Sequence, residues 1–211
     1  MTMAIDSSCK PYRWPADQPR SPHFTITAGD KTIDVLECES GSFALFEISA
    51  KVELTVELPT DQPGVVIRPL RHALTPPIQN GRFVIPLDGP VSLVCEFPGL
   101  PDLFIFAVAP DPAVPDRNDP DVIFFEAGKT HECEMITPAS NQTVYIEGGA
   151  VVRTSIQVRD AENVRIAGRG ILQGPASIEE GQGTGRQRRR VWLRRGIAAY
   201  NCRHFVVEGI A

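Results

Sequence analysis

The sequence contains no apolar run long enough to cross a membrane as a helix, which would need about 18 or more such residues. Its first 22 residues also lack the apolar core of a signal peptide. We therefore expect no membrane association. For the sequence as written we expect a cytoplasmic protein, with secretion as the alternative if an upstream leader is missing.

Cysteine is scarce and poorly placed for disulfide bonds or for a metal. The five cysteines are an odd number, lie far apart and include no Cys-x-x-Cys pair, so they fit neither a disulfide framework nor a zinc site. The four histidines are equally scattered, and no phosphate-binding loop, nucleophile elbow or metal motif occurs. The sequence predicts free thiols, no metal and no cofactor.

Charge and composition narrow the possible partners and the fold class further. A net charge of −5 and a pI near 5.4 argue against general affinity for nucleic acid or anionic membranes. Proline (19 residues) and glycine (17 residues) are frequent but follow no collagen-like period. This composition indicates many turns and an all-β fold.

Short segments with strand character recur through residues 23–110 at intervals of about ten residues. In Val52–Leu58, the clearest of them, apolar and polar residues alternate without a break, which is typical of a half-buried strand. Turn sequences such as Asn80-Gly81 separate the segments. They predict an antiparallel β-sandwich over residues 23–110, preceded by a loose N-terminal arm over residues 1–22.

The segment that follows has a different composition. Residues 110–121 hold four prolines and four aspartates, which cannot form a strand ladder. We expect a linker over residues 111–121.

Three stretches in the second half of the chain repeat in phase. Residues 143–149 align with residues 163–169 at an offset of 20, and residues 163–169 align with residues 204–210 at an offset of 41. A period near 20 that carries a short strand and a glycine is typical of a solenoid in which each repeat forms one coil. Inward apolar residues alternate with outward ones, as in Val144-Tyr145-Ile146. We predict the first coils of a parallel β-helix over residues 122–211, with an insertion loop at 175–195.

These residues resemble a known family. The predicted sandwich, the linker and the stretches 121–125, 142–152 and 163–174 are similar to the N-terminal half of polygalacturonase-like glycoside hydrolases of family 28. The layout also resembles the dextranase and isopullulanase family 49. The resemblance implies a right-handed β-helix and inverting hydrolysis of polysaccharides or oligosaccharides by two carboxyl groups roughly 6.5–9.5 Å apart.

No catalytic residue can be carried over to this chain. The Asn-Thr-Asp, Asp-Asp, Gly-His-Gly and Arg-Ile-Lys signatures of the family are absent from it. We therefore expect the N-terminal portion of an enzyme, inactive alone, with its catalytic carboxylates in later coils.

Four residues are candidates for substrate binding: Arg188, Arg190, Trp192 and Tyr200. Six arginines fall within residues 186–195, and arginine binds carboxylates such as that of a uronate in a bidentate manner. The two aromatic rings could stack on sugars. The alternatives are a solvated insertion anchored by residues 191–193 and, with less support, a nucleic-acid contact.

Two further groups of polar residues have a structural interpretation. Glu147 and Glu208 are predicted to share an outward column two coils apart, at about 10 Å, and the favoured interpretation is that they are solvated strand ends. Ser140, Asp160 and Asn201 are predicted to share a corner, where short polar side chains satisfy backbone groups.

Other functions remain open at this point. A non-catalytic carbohydrate-binding or adhesive β-helix would show the same repeats, and the sandwich could be an interaction module that caps the helix. The glycan, its linkage and the oligomeric state do not follow from the sequence.

Overall fold

The computed structural model describes residues 8–174 and 196–211 of the chain. Its regular structure there is all β apart from one short 3-10 turn, Leu70–His72, and no described helix could span a membrane. The chain divides into two compact units, Met1–Pro110 and Asp111–Ala211. The predicted fold class, a β-sandwich followed by the first coils of a parallel β-helix, is confirmed.

The first unit is a sandwich of two sheets. One sheet has the strand order β1-β5-β10-β9-β7, with β4 also paired to β5, and the other has the order β3-β2-β6-β8. Its pairs are antiparallel except that β5 and β10 run parallel. The strands are β1 (Cys9–Pro11), β2 (Thr25–Ala28), β3 (Lys31–Ile33), β4 (Val35–Cys38), β5 (Gly41–Ile48), β6 (Val52–Glu57), β7 (Val66–Arg68), β8 (Arg82–Leu87), β9 (Val91–Glu96) and β10 (Asp102–Val108).

Alternation of apolar and polar residues builds the core of the sandwich. In β6, Leu54 and Val56 are fully buried while Glu53 points to solvent. The same pattern occurs in β8, where Ile85 is fully buried between exposed neighbours. Each strand thus places one face in the core and one in water.

The expected loose N-terminal arm is wrong for residues 8–22. Strand β1 pairs antiparallel with β5, and the rings of Tyr12 and Trp14 are only 4% and 5% exposed. The Tyr12 hydroxyl donates a 2.7 Å hydrogen bond to Glu47 Oε1. Two large aromatic side chains provide enough apolar area to dock this segment on the sandwich, despite its prolines and polar residues.

Chemical labelling of cysteine should reveal this core. Cys95 is fully buried, and burial raises the pKa of its thiol from 9.0 to about 12. Because the thiolate is the reactive form, we expect Cys95 to react with a disulfide reagent at neutral pH about a thousandfold more slowly than an ordinary exposed thiol. Mass spectrometry of the partly labelled native protein would give the rate at each site, with the less buried Cys38 as the internal reference. Equal rates at the two sites would contradict the sandwich core.

The second unit is built from parallel strands in three sheets. The sheets have the orders β11-β13-β16-β19, β12-β14-β17 and β15-β18, and each coil contributes a strand to successive sheets. The strands are β11 (Val122–Phe125), β12 (Thr130–Glu132), β13 (Thr143–Ile146), β14 (Val151–Arg153), β15 (Ile156–Arg159), β16 (Arg165–Gly168), β17 (Ile171–Gln173), β18 (Ile197–Tyr200) and β19 (Val206–Glu208).

Inward residues of successive coils stack to form the core of this unit. Val144, Ile146, Val164 and Ile166 are at most 1% exposed, as their predicted inward orientation requires. Val207, which pairs with Ile166 in the last described coil, is 44% exposed. The core is therefore closed in the middle coils and open beside β19.

The register between β13 and β16 differs from the predicted offset of 20 residues. Val144 pairs with Ile166, an offset of 22, whereas Val151 of the next sheet pairs with Ile171, an offset of 20. The corner after β13 contains four residues, 147–150, whereas the corner after β16 contains two, 169–170. This difference of two residues restores the offset to 20 where the next sheet begins. A shift of two residues keeps every side chain on its predicted face.

The segment predicted to be a linker, residues 111–121, contacts the outer face of the first of these sheets. The Tyr145 hydroxyl donates a 2.9 Å hydrogen bond to Asp111 Oδ2, and the Arg117 guanidinium lies 5.2 Å from the centre of the Phe124 ring. The Phe124 and Tyr145 rings stack at 5.2 Å between their centres. Tyr145 points away from the helix core yet is only 3% exposed, and its hydroxyl is held by the proline-rich segment.

This contact predicts a loss of stability at alkaline pH. Burial and the neighbouring Asp111 carboxylate raise the pKa of Tyr145 above its usual value. A free tyrosine in the unfolded chain ionises at about pH 10. Above that pH the unfolded state loses this proton first, so the free energy of unfolding should fall as the pH rises.

The variant Tyr145→Phe should show a weaker alkaline loss. At neutral pH it should be less stable by about 0.5–1.5 kcal/mol, the typical net value of one hydrogen bond. Urea unfolding of both proteins from pH 8 to pH 11 would measure this. If the free energy of unfolding fell equally with pH in both proteins, the burial of the Tyr145 hydroxyl would be contradicted.

Candidate functional site

A polar depression of about 320 Å³ lies at the corner that follows β15 and β18. We name it the polar corner and define it by five polar residues: Ser140, Asp160, Glu162, Asn201 and Arg203. The prediction that Ser140, Asp160 and Asn201 share one corner is confirmed.

Strand register brings these residues together. Arg159 pairs with Tyr200, so the next residues, Asp160 and Asn201, lie opposite each other. Asn201 Nδ2 donates a 2.6 Å hydrogen bond to Asp160 Oδ1. Both residues have positive φ, 48° and 52°, in the left-handed region that aspartate and asparagine tolerate better than most residues. The corner is thus fixed by backbone shape as well as by side-chain contact.

The other side of the polar corner is less constrained. Ser140 Oγ accepts a 3.0 Å hydrogen bond from the Glu162 backbone N–H, and a bridge pairs Glu162 with Arg203. The side chains of Glu162 and Arg203 are exposed, and neither forms a hydrogen bond or ion pair with any residue that the structure describes. One carboxylate and one guanidinium are therefore available to a ligand.

Tyr200 is the only one of the four predicted substrate-binding residues within the described residues. It is half-buried on the outward side of β18, beside Asn201, and the Arg159 guanidinium lies 4.6 Å from its ring centre. This cation–π contact occupies one face of the ring. Arg188, Arg190 and Trp192, together with the predicted insertion loop at 175–195, lie outside the described residues.

The predicted pairing of Glu147 with Glu208 is wrong. The register places Glu208 opposite Ala167, which pairs in turn with Tyr145, so the two glutamates are in different columns. The Glu147 carboxylate accepts a 2.9 Å hydrogen bond from the Ala127 N–H. The two-residue shift between β13 and β16 accounts for the error.

Glu208 and Glu126, two other carboxylates of the β-helix unit, form ion pairs within the protein. Glu208 Oε1 accepts a 2.7 Å hydrogen bond from Arg165 Nε. Glu126 forms an ion pair with Lys129, and this contact lowers the pKa of the Glu126 carboxyl. A carboxyl group that favours its ionised form is a poor general acid. The described residues also contain no group of His, Cys, Asp and Glu side chains that could hold a metal ion.

The arrangement is suited to binding a polar ligand. The polar corner combines acceptors on Asp160 and Glu162 with donors on Asn201 and Arg203, all around one depression. A few convergent polar groups of this kind orient a hydroxyl-rich ligand.

Comparison with known proteins bears on the fold. No protein-family profile and no curated protein sequence matches the chain. Among the solved structures, Dex49A from Penicillium minioluteum matches 77% of this chain with a TM-score of 0.55 and 14% sequence identity. At this identity the likeness shows a shared fold, in agreement with the all-β sheets and parallel coils described above. It spans 47% of the Dex49A chain, or about half its length.

Sequence inspection missed three residues of this surface: Arg159, Glu162 and Arg203. The signal was present, because the offset of 41 that pairs Asp160 with Asn201 also pairs Arg159 with Tyr200 and Glu162 with Arg203. Single charges at a regular corner are a weaker signal than the six arginines of residues 186–195.

Proposed function

We propose that this chain is the N-terminal part of a glycoside hydrolase that cleaves polysaccharides or oligosaccharides with inversion. The observation that carries the proposal is the order of its units, a β-sandwich followed by a parallel β-helix, in a fold shared with Dex49A over 77% of the chain. The resemblance of residues 142–152 and 163–174 to family 28, and of the layout to family 49, supports the same class.

The catalytic carboxylates of this proposal belong to coils that follow residue 211. One carboxyl group would protonate the glycosidic oxygen while the other activates a water on the opposite face of the sugar, which requires a separation of roughly 6.5–9.5 Å. Glu147 and Glu208 lie in different columns, and Glu126 and Glu208 are held in ion pairs with Lys129 and Arg165, so we do not assign these roles to them. In this proposal the described coils contribute structure and substrate contacts.

Tyr200 remains a candidate for substrate contact within this proposal. Its ring lies on the outer side of β18, and Arg159 fixes the ring from one face. Arg188, Arg190 and Trp192 stay predictions from the sequence.

Two hydrolysis assays test the proposal. The 211-residue chain should release no reducing sugar from polygalacturonate, dextran or pullulan. A product of the same reading frame that extends beyond residue 211 should cleave at least one of them, and nuclear magnetic resonance of the first product should show the inverted anomer.

Three outcomes would contradict this account. Robust turnover by the 211-residue chain would place the catalytic groups within it. A retained anomer would exclude the inverting mechanism. Tight glycan binding without turnover by the extended product would favour the non-catalytic, adhesive alternative.

A further inference from the structure

We infer that the polar corner is a binding subsite for one uncharged sugar unit of the glycan. This inference rests on the proposed function, because it assumes that the chain contacts a glycan. It goes further by assigning the contact to particular side chains at the corner after β15 and β18 and by naming the charge class of the sugar.

The chemistry of the corner suits the hydroxyl groups of a sugar ring. The depression of about 320 Å³ is open and mostly polar, and it is lined by planar carboxylate, amide and guanidinium groups. Vicinal hydroxyls of a sugar each donate and accept, so they need acceptors and donors side by side. Asp160 and Asn201 provide such a pair at 2.6 Å, and the open side chains of Glu162 and Arg203 provide a second.

The charges around the corner favour a neutral ligand. Among the lining residues, Asp160 and Glu162 carry two negative charges and Arg203 carries one positive charge, so the lining has a net charge of −1 and disfavours an anion. A uronate carboxylate would meet Arg203 but would also lie near two protein carboxylates. A neutral sugar can use all of these groups without such repulsion.

The corner is also preorganised. Asp160 and Asn201 hold fixed left-handed backbone conformations and are tied together by their side chains. Backbone hydrogen bonds connect Asp160 N–H to the Tyr200 carbonyl and Arg203 N–H to the Ala161 carbonyl. A ligand therefore has to order only the Glu162 and Arg203 side chains, which keeps the entropic cost of binding small.

A titration followed by ¹H–¹⁵N correlation spectra tests the subsite on the intact chain. Isomaltotriose and maltotriose serve as neutral probes, and trigalacturonate serves as the anionic probe. At least one neutral probe should shift the backbone amide signals of residues 160–162 and 201–203 as its concentration rises. Trigalacturonate should bind these residues more weakly than that probe does.

Substitutions assign the contact to the open side chains. Glu162→Ala and Arg203→Ala should each weaken binding of the neutral probe by about tenfold, the effect expected for a hydrogen bond to a charged group. Glu134→Ala is the matched control, because Glu134 is an exposed glutamate of the same unit away from the corner, and binding should stay unchanged. The spectra of each variant also report whether it is folded.

Three results would overturn the inference: no shift at the corner with either neutral probe, unchanged affinity in both variants, or tighter binding of trigalacturonate. The proposed function would survive each of them, because its own test is hydrolysis by the extended product. Conversely, if a neutral probe binds at the corner but the extended product hydrolyses no glycan, the subsite stands and the proposed hydrolase activity is wrong.

Discussion

The variant Ile166→Ala is expected to destabilise the β-helix unit by about 2–5 kcal/mol, the usual cost of truncating a fully buried isoleucine. Ile166 is 0% exposed and lies in the central strand β16, paired with Val144 on one side and Val207 on the other. Removing its side chain would leave a cavity between two stacked coils. Since neighbouring strands fix those coils, they cannot collapse to fill it.

Val207→Ala provides the matched control for this prediction. Val207 faces the same interior and pairs with Ile166, but it is 44% exposed, so the substitution should cost less than about 1 kcal/mol. Urea unfolding of the three proteins would give the free energies. Hydrogen exchange measured by mass spectrometry would show whether the loss is confined to residues 111–211. Equal effects of the two substitutions would contradict the closed core around β16.

The variant Gly168→Ala is expected to be about as damaging, at roughly 3 kcal/mol or more. Gly168 ends β16 at a φ of +130°, a conformation that residues with a side chain rarely adopt. It also pairs with Ile146 of the previous coil, and an added Cβ would collide with the Ile146 backbone carbonyl. Because a carbonyl inside a strand ladder cannot turn aside, relief would require separating the two coils.

Gly174→Ala is the control for this substitution. Gly174 follows β17, and an added Cβ there would meet no atom within 4 Å. We expect its thermal midpoint to stay close to that of the unmodified protein, while Gly168→Ala lowers the midpoint by many degrees or prevents folding. A folded Gly168→Ala protein of normal stability would show that the coils do not approach as closely at this point as the structure requires.

The repeat pattern was enough to predict the β-helix but not its local register. Strand alternation identifies inward residues such as Val164 and Ile166 regardless of how the coils align. A shift of two residues leaves that alternation unchanged, so the sequence cannot distinguish an offset of 20 from one of 22. The deciding feature is corner length, because residues 147–150 form a longer corner than residues 169–170.

The errors at the N-terminus and at the candidate site have related causes. Prolines and polar residues suggested a loose arm, but the burial of Tyr12 and Trp14 outweighs them. Composition averages over a segment, whereas docking depends on one or two large side chains. Likewise, the expected link between Glu147 and Glu208 depended entirely on the register, and it failed with the two-residue shift.

Long-range nuclear Overhauser effects between methyl groups test the central claim most directly, namely that successive coils stack in parallel in the observed register. Strands of neighbouring coils lie about 4.8 Å apart. With isoleucine and valine methyl labelling, strong signals should join Val144 to Ile166 and Ile166 to Val207. Strong contacts from Val144 to Val164 with none to Ile166, or a helical pattern of sequential amide signals through residues 143–173, would contradict the account.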